Sequence, residues 1–443
     1  MKYHLETYGC QMNKAESSAM ESALRERGWS ASEPGEADLV IINTCTVRAT
    51  AENRAWGRIA HYAALKRDRQ FSLMVVGCMA EQYKKQMLER APAVDYVLGT
   101  NRKQVFGLAL DQIEAGSSYE IDDEEPIHIF DDRHAEPGAF RAFVPIMHGC
   151  NNFCSYCIVP YVRGREISRS PADIVAEILD LEASGVREVT LLGQNVNSYL
   201  WHAEGQNLDF PGLLRLISAA LKGKGRGREG VGWIRFLTSH PKDLSPDLIG
   251  ILAADPLFCR HVHLCLQSGS DRVLEAMNRK YTKEGFLSLV EAMKNSIPGL
   301  SLSTDILVGF PGETEEDLEE TLDAMRKVGF SYSFMYHFNP RAGTKAASLP
   351  GRIPEAVKRE RLSRVISLQK EITASLLKSR IGSVDRVLVE GGSRKSKTEL
   401  LGRTARDEMV VFAGEPSKIG SFAWVRLEGL SGNTFKAVEV DAP

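Results

Sequence analysis

The run Cys150-Asn-Asn-Phe-Cys154-Ser-Tyr-Cys157 sets three thiols at a C-x3-C-x2-C spacing. Thiolates suit iron-sulfur clusters, and a [4Fe-4S] cube held by three cysteines keeps one iron without a protein ligand. That iron can chelate the amino and carboxylate groups of S-adenosylmethionine (SAM) and pass an electron to its sulfonium. The alternative is a structural zinc site with His148 as fourth ligand, although closed zinc sites more often pair two CxxC-like knuckles.

Cys10, Cys45 and Cys78 each follow a short apolar run: His4 to Tyr8, Leu39 to Ile42 and Leu73 to Val76. Helical patterns such as Ala15 to Arg27 follow or separate these runs, and strands alternating with helices predict a parallel sheet. Ligands of such sheets sit beyond the carboxyl ends of the strands, so all three thiols are expected at one edge. Each lies beside Gly9, Asn43 or Gly77, where a loop and not a core is expected. Cys259 and Cys265 sit among apolar residues and read as small core side chains without a ligand role.

The elements that must position these residues divide the 443-residue chain. Residues 1–117 form the α/β sheet domain, and the polar, acidic stretch 118–138 a linker. Residues 139–371 hold six strand-like runs, starting at Ala142, Glu188, Trp233, His261, Leu302 and Tyr332, with helical patterns between them. That alternation predicts an incomplete (β/α)6 barrel with functional residues on the loops after its strands. After a helical stretch, Pro354 to Ser379, residues 372–443 contain short strands broken by glycines, a small all-β barrel. Its cluster Arg394, Lys395 and Lys397 suits RNA, though a solvated basic loop has the same composition.

Net charge is only −3, so any nucleic-acid contact rests on local patches. Eight cysteines, His4 and Glu6 where a signal peptide needs apolar residues, and no run of eighteen apolar residues predict a cytoplasmic metal or redox protein with no membrane segment.

The cysteine loop, with Tyr156 before its last thiol, resembles the radical SAM superfamily. The wider set GCNNFCSYCIVPYVRGRE, TYGCQMN, NTCTVR, VVGCMAE, LGQNVNSY, LTSHPKD, LQSGSDRVLEAMNRKYT and TDILVGFPGET is similar to the methylthiotransferase family over nearly the whole chain. The last segment resembles the RNA-binding TRAM barrel of that family. The resemblance implies that Cys10, Cys45 and Cys78 ligate an auxiliary [4Fe-4S] cluster beside the SAM-binding one. It implies SAM as both methyl donor and radical source, and replacement of an unactivated C2–H of a tRNA adenosine by C–S–CH3. TYGCQMN, LGQNVNSY and TSHP look most like the branch that acts on N6-isopentenyladenosine next to the anticodon. Threonylcarbamoyladenosine or a ribosomal-protein aspartate is the alternative substrate, and a zinc-stapled RNA-binding module without catalysis the remote one.

Gly193, Gln194 and Asn195 follow the second barrel strand, where the superfamily often meets the SAM amino group. Ser239, Gln267, Ser268 and Asp305 follow or end barrel strands and offer polar groups to SAM or substrate. Arg163, Arg165 and Arg169 follow the cluster loop and suit substrate phosphates. The expected partners are tRNA and an electron donor such as flavodoxin or ferredoxin, with the chain acting as a monomer. Cys265 stands where the family usually shows proline.

Overall fold

The computed structural model describes residues 1–47, 49–100, 103–116, 130, 134, 138–203, 205–222, 230–393, 396 and 398–443. The basic residues Arg394, Lys395 and Lys397, and most of the acidic linker, lie outside the described residues.

Strands β1 (Lys2–Thr7), β2 (Ser30–Ala31), β3 (Leu39–Thr44), β4 (Ser72–Gly77) and β5 (Tyr96–Leu98) form a parallel sheet in the order β2-β1-β3-β4-β5. All six residues of the central β3, Leu-Val-Ile-Ile-Asn-Thr, are buried, because helices cover both faces of a parallel sheet. Cores form on each side, around Val40, Ile42 and Val75 on one and Leu39, Ile41 and Met74 on the other.

Six further parallel strands follow: β6 (Arg141–Pro145), β7 (Glu188–Leu192), β8 (Trp233–Phe236), β9 (His261–His263), β10 (Ser301–Val308) and β11 (Tyr332–His337). They pair as two triplets, β6-β7-β8 and β9-β10-β11, bridged at Ser239–Leu264. One continuous core, including Val144, Val189, Ile234 and Val262, fills the incomplete barrel.

The helix Glu355–Lys378 runs across residue 372, where the sequence reading starts the last domain, and packs on β11. Strands β12 (Val384–Gly392), β13 (Glu399–Thr404), β14 (Met409–Ala413), β15 (Phe422–Ser431) and β16 (Thr434–Val440) then close a barrel in the order β12-β13-β14-β16-β15. This small barrel covers the amino-terminal ends of the large barrel's strands. Trp233 meets Phe422 edge to face at 4.8 Å, Arg235 donates to the Thr404 carbonyl at 2.7 Å, and Tyr332 donates to Asp407 at 2.7 Å. The opposite, carboxyl-terminal face is left for the cysteines. Among the described residues no helix is long and apolar enough to cross a membrane.

Candidate active site

Beyond β6 the chain enters the cysteine loop through Gly149, whose φ of +80° favours glycine and whose added Cβ would lie 2.0 Å from the Arg165 carbonyl oxygen. Phe153 takes a left-handed φ of 47° between the first two thiols. The turn is clamped from the segment after β9: Asn278 donates to the Phe153 carbonyl at 2.9 Å, and Ser155 to the Ala276 carbonyl at 2.8 Å. Arg279 donates to Cys154 Sγ at 3.3 Å. Burial pushes Cys150 up to about 11 and Cys157 up to about 12, so the metal-free thiols hold their protons. Iron must displace those protons on binding.

Cys10, Cys45 and Cys78 follow β1, β3 and β4 at one sheet edge. Burial pushes Cys78 up to about 12; the nearby Arg163 opposes this, while Cys45 and Cys10 add to it. A Cβ on Gly9 would meet Cys45 Cβ at 2.9 Å, so a residue without a side chain is needed there. Cys78 packs against Ile158 and Val162, which directly follow Cys157, so the two cysteine sites face one another. Among the described residues, three ligand atoms of His, Cys, Asp or Glu lie within 4.8 Å of one another only at His263, Cys265 and Asp305. A single zinc ion holds its sulfurs roughly 3.8 Å apart, given bonds of about 2.3 Å. Neither cysteine trio is gathered that tightly, so neither is closed around a single zinc ion.

A cavity of about 450 Å³ opens beside Cys157 and the loop after Cys45. It is bordered by Val47 and Thr50 after Cys45, by Tyr156 and Cys157, by Gln267, Asp305 and Leu307, and by Met335, Phe338 and Arg341 around the end of β11. Arg341 fastens that rim to the sheet domain, donating to Glu52 at 2.8 Å and to the Val47 carbonyl at 3.0 Å. No motif in the sequence marks an isoprenoid pocket. The alternation within β11 gives no sign that Met335 borders a cavity rather than core.

The other expected residues divide into two groups. Gln194 Oε1 and Ser239 Oγ are buried without a hydrogen-bond partner, an arrangement that costs about 1–3 kcal/mol per group unless a polar ligand meets them. SAM fits that demand. Gly193 keeps its place because a Cβ would strike Met147 Cγ at 2.5 Å.

The second group braces loops. Asn195 donates to Asp243 at 2.7 Å and accepts from the His240 amide at 3.1 Å, and Ser268 accepts from the Ser270 amide at 3.2 Å. The phosphate role expected of Arg163 and Arg169 is corrected: both are buried, Arg163 against Glu16 at 2.9 Å and Arg169 against Glu177. A guanidinium buried against an internal carboxylate is out of reach of RNA phosphates. Arg165 remains exposed, its guanidinium 4.4 Å from the centre of the Phe153 ring.

Residues 144–325 match the Radical SAM superfamily, residues 378–437 the TRAM domain, and residues 2–99 the uncharacterized protein family UPF0004. The partial barrel with its three-cysteine loop is thus that of a radical SAM enzyme, a class that works with SAM and [4Fe-4S] clusters. A protein of Treponema denticola named tRNA-2-methylthio-N(6)-dimethylallyladenosine synthase is 48% identical, with 99% of each chain covered. One of the same name from Geobacter metallireducens is 45% identical over 96% of this chain and 95% of its own. The chain belongs to the tRNA-2-methylthio-N6-dimethylallyladenosine synthase family. Among solved structures, the radical SAM methyltransferase TsrM of Kitasatospora setae superposes with a TM-score of 0.58 at 16% identity, covering 78% of this chain and 74% of that one. That likeness concerns the fold.

Proposed function

We propose that the chain methylthiolates C2 of N6-isopentenyladenosine beside the anticodon of tRNA. One observation carries this reading: a single cavity borders Cys157 on one wall and the loop after Cys45 on the other. Cys150, Cys154 and Cys157 hold the SAM-binding cluster, and Cys10, Cys45 and Cys78 the auxiliary one. When bound, the clusters and SAM supply hydrogen abstraction, sulfur and methyl, chemistry that no side-chain base offers at an unactivated aromatic C–H.

The chain's own residues position and enclose. Gln194 and Ser239 meet polar groups of SAM, with Gln267 and Asp305 at the cavity wall between cofactor and base. Leu307, Met335 and Phe338 offer the isoprenoid group an apolar surface. The target base must be unstacked from its loop to enter, as enzymes acting on bases require. Arg165, and Arg394, Lys395 and Lys397 of the last segment, contact RNA phosphates. A low-potential carrier such as flavodoxin or ferredoxin supplies electrons to a cytoplasmic monomer.

Mass spectrometry of tRNA nucleosides from cells with and without the protein tests the assignment. Loss of the 2-methylthio-isopentenyl nucleoside alone is expected. Loss of the methylthio-threonylcarbamoyl nucleoside instead would move the chain to the other branch.

A further inference from the structure

The trio His263, Cys265 and Asp305 lies outside both cysteine sites, with His263 at the end of β9, Cys265 just beyond it and Asp305 within β10, and has the donor set of a mononuclear metal centre. His263 Nε2 is 3.3 Å from Asp305 Oδ2, and Cys265 Sγ is 3.4 Å from the same oxygen. All three ligand atoms lie within 4.8 Å of one another. Nitrogen, sulfur and oxygen bound to one tetrahedral zinc ion at bonds of about 2.0–2.3 Å stand about 3.3–3.6 Å apart, so the side chains are already near the edges of that tetrahedron.

The surroundings support the same use. Ser303 Oγ lies 2.9 Å from His263 Nδ1 and 3.0 Å from His261 Nε2. Ser303 Oγ thus occupies the Nδ1 side of His263, and Nε2 is the nitrogen that faces Asp305. Metal-bound imidazoles characteristically carry such a partner on the other ring nitrogen. The Phe334 ring, 5.7 Å away, packs against His263. Asp305 borders the cavity and gives an ion its entry. Arg279 is the nearby opposing charge, and its guanidinium is spent on the Cys265 carbonyl at 3.0 Å and on Cys154 Sγ.

We propose that His263, Cys265 and Asp305 form a third metal site, for one borderline-soft divalent cation such as zinc, with its fourth position open to the cavity. Mixed nitrogen, sulfur and oxygen donors select that class over magnesium or calcium. Cys265, read from sequence as a small core residue, thereby gains a ligand role.

The test uses reconstituted holoenzyme, stripped of loose metal and titrated with zinc sulfate against a chromophoric chelator, with the visible absorption of the clusters followed throughout. One zinc ion per chain is expected with cluster absorption unchanged, and its loss in Cys265→Ala. Ser303→Ala is expected to retain the site with affinity lowered about 10- to 100-fold. Zinc-edge X-ray absorption should report one sulfur at about 2.3 Å with lighter donors at about 2.0–2.2 Å. Equal zinc uptake by wild type and Cys265→Ala, no uptake by wild type, or a shell of sulfur alone would each overturn the proposal.

Discussion

Arg163, six residues beyond Cys157, donates to Glu16 of the helix that follows Cys10 at 2.9 Å, with both side chains buried. The pair ties the loop of one cysteine site to the element that carries the other. Breaking one partner of a buried pair is costly because the remaining charge stays in a medium that solvates it poorly. Arg163→Leu is therefore expected to lower stability by about 3–5 kcal/mol, read as a shift of the urea midpoint. Adding Glu16→Leu should recover much of that loss, since both charges then leave together. A double variant no more stable than the single one would show that the pair does not carry the docking.

The two cysteine sites should separate by product. Cys154→Ala is expected to abolish reductive SAM cleavage, whereas Cys45→Ala should still release 5′-deoxyadenosine and form no methylthiolated RNA. Chromatography of both products from one reaction decides this; failure of Cys45→Ala to release deoxyadenosine would contradict the division. Wild-type protein should bind about eight irons, as two four-iron cubes require.

How much of this was legible beforehand follows from how local each signal is. The cysteine loop, and the glycines beside Cys10 and Cys78, are contiguous in sequence, and the strand-then-cysteine design placed three distant thiols at one edge. Arg163 and Arg169 were misread because their partners, Glu16 and Glu177, are brought in by tertiary packing that spacing does not encode. The cavity escaped for the same reason: Val47, Cys157 and Met335 come from three segments that meet only in the folded chain. Cys265 read as core because it is buried; the His263 and Asp305 beside it come from two adjacent strands whose register sequence does not state.

Glu6 gives a pH signature to the sheet domain. Burial works to raise its carboxyl, but Arg58 Nε at 2.8 Å, Tyr62 at 2.7 Å and Tyr8 at 2.8 Å outweigh it and hold the group down at about 2. A carboxylate depressed in the folded state adds stability that is present above its ordinary value near 4.5 and disappears as pH falls toward 2. Glu6→Gln in metal-free protein should cost on the order of 3 kcal/mol at pH 7, and the gap to wild type should narrow through pH 4.5 to 2.5 in urea titrations. A gap independent of pH would assign the loss to packing.

Truncation before β12 is expected to do more than weaken RNA binding. It uncovers Trp233 and Cys259 and takes away the carbonyl acceptors of Arg235, so the large barrel itself should lose stability. Replacing Arg394, Lys395 and Lys397 by alanine instead keeps Phe422, Thr404 and Asp407, the residues named in that joint, in the chain. The slope of log affinity against log salt for the tRNA should then fall by roughly 2 if all three charges meet phosphates, and stay constant if the loop is only solvated.

Met335 offers the most selective test of the cavity. Its side chain lies on the wall shared with Leu307 and Phe338, and it takes no part in holding either cluster. Met335→Ala removes an apolar surface of one or two methylene equivalents, each worth about 0.8 kcal/mol when buried against an isoprenoid group. KM for an isopentenylated anticodon stem-loop should therefore rise about 4- to 15-fold with kcat little changed, the pattern of an interaction made equally before and during the reaction. Binding of the same stem-loop without the isoprenoid should not change, because that RNA never makes the contact. An equal loss for both RNAs would mean that Met335 supports the rim and does not touch the substrate.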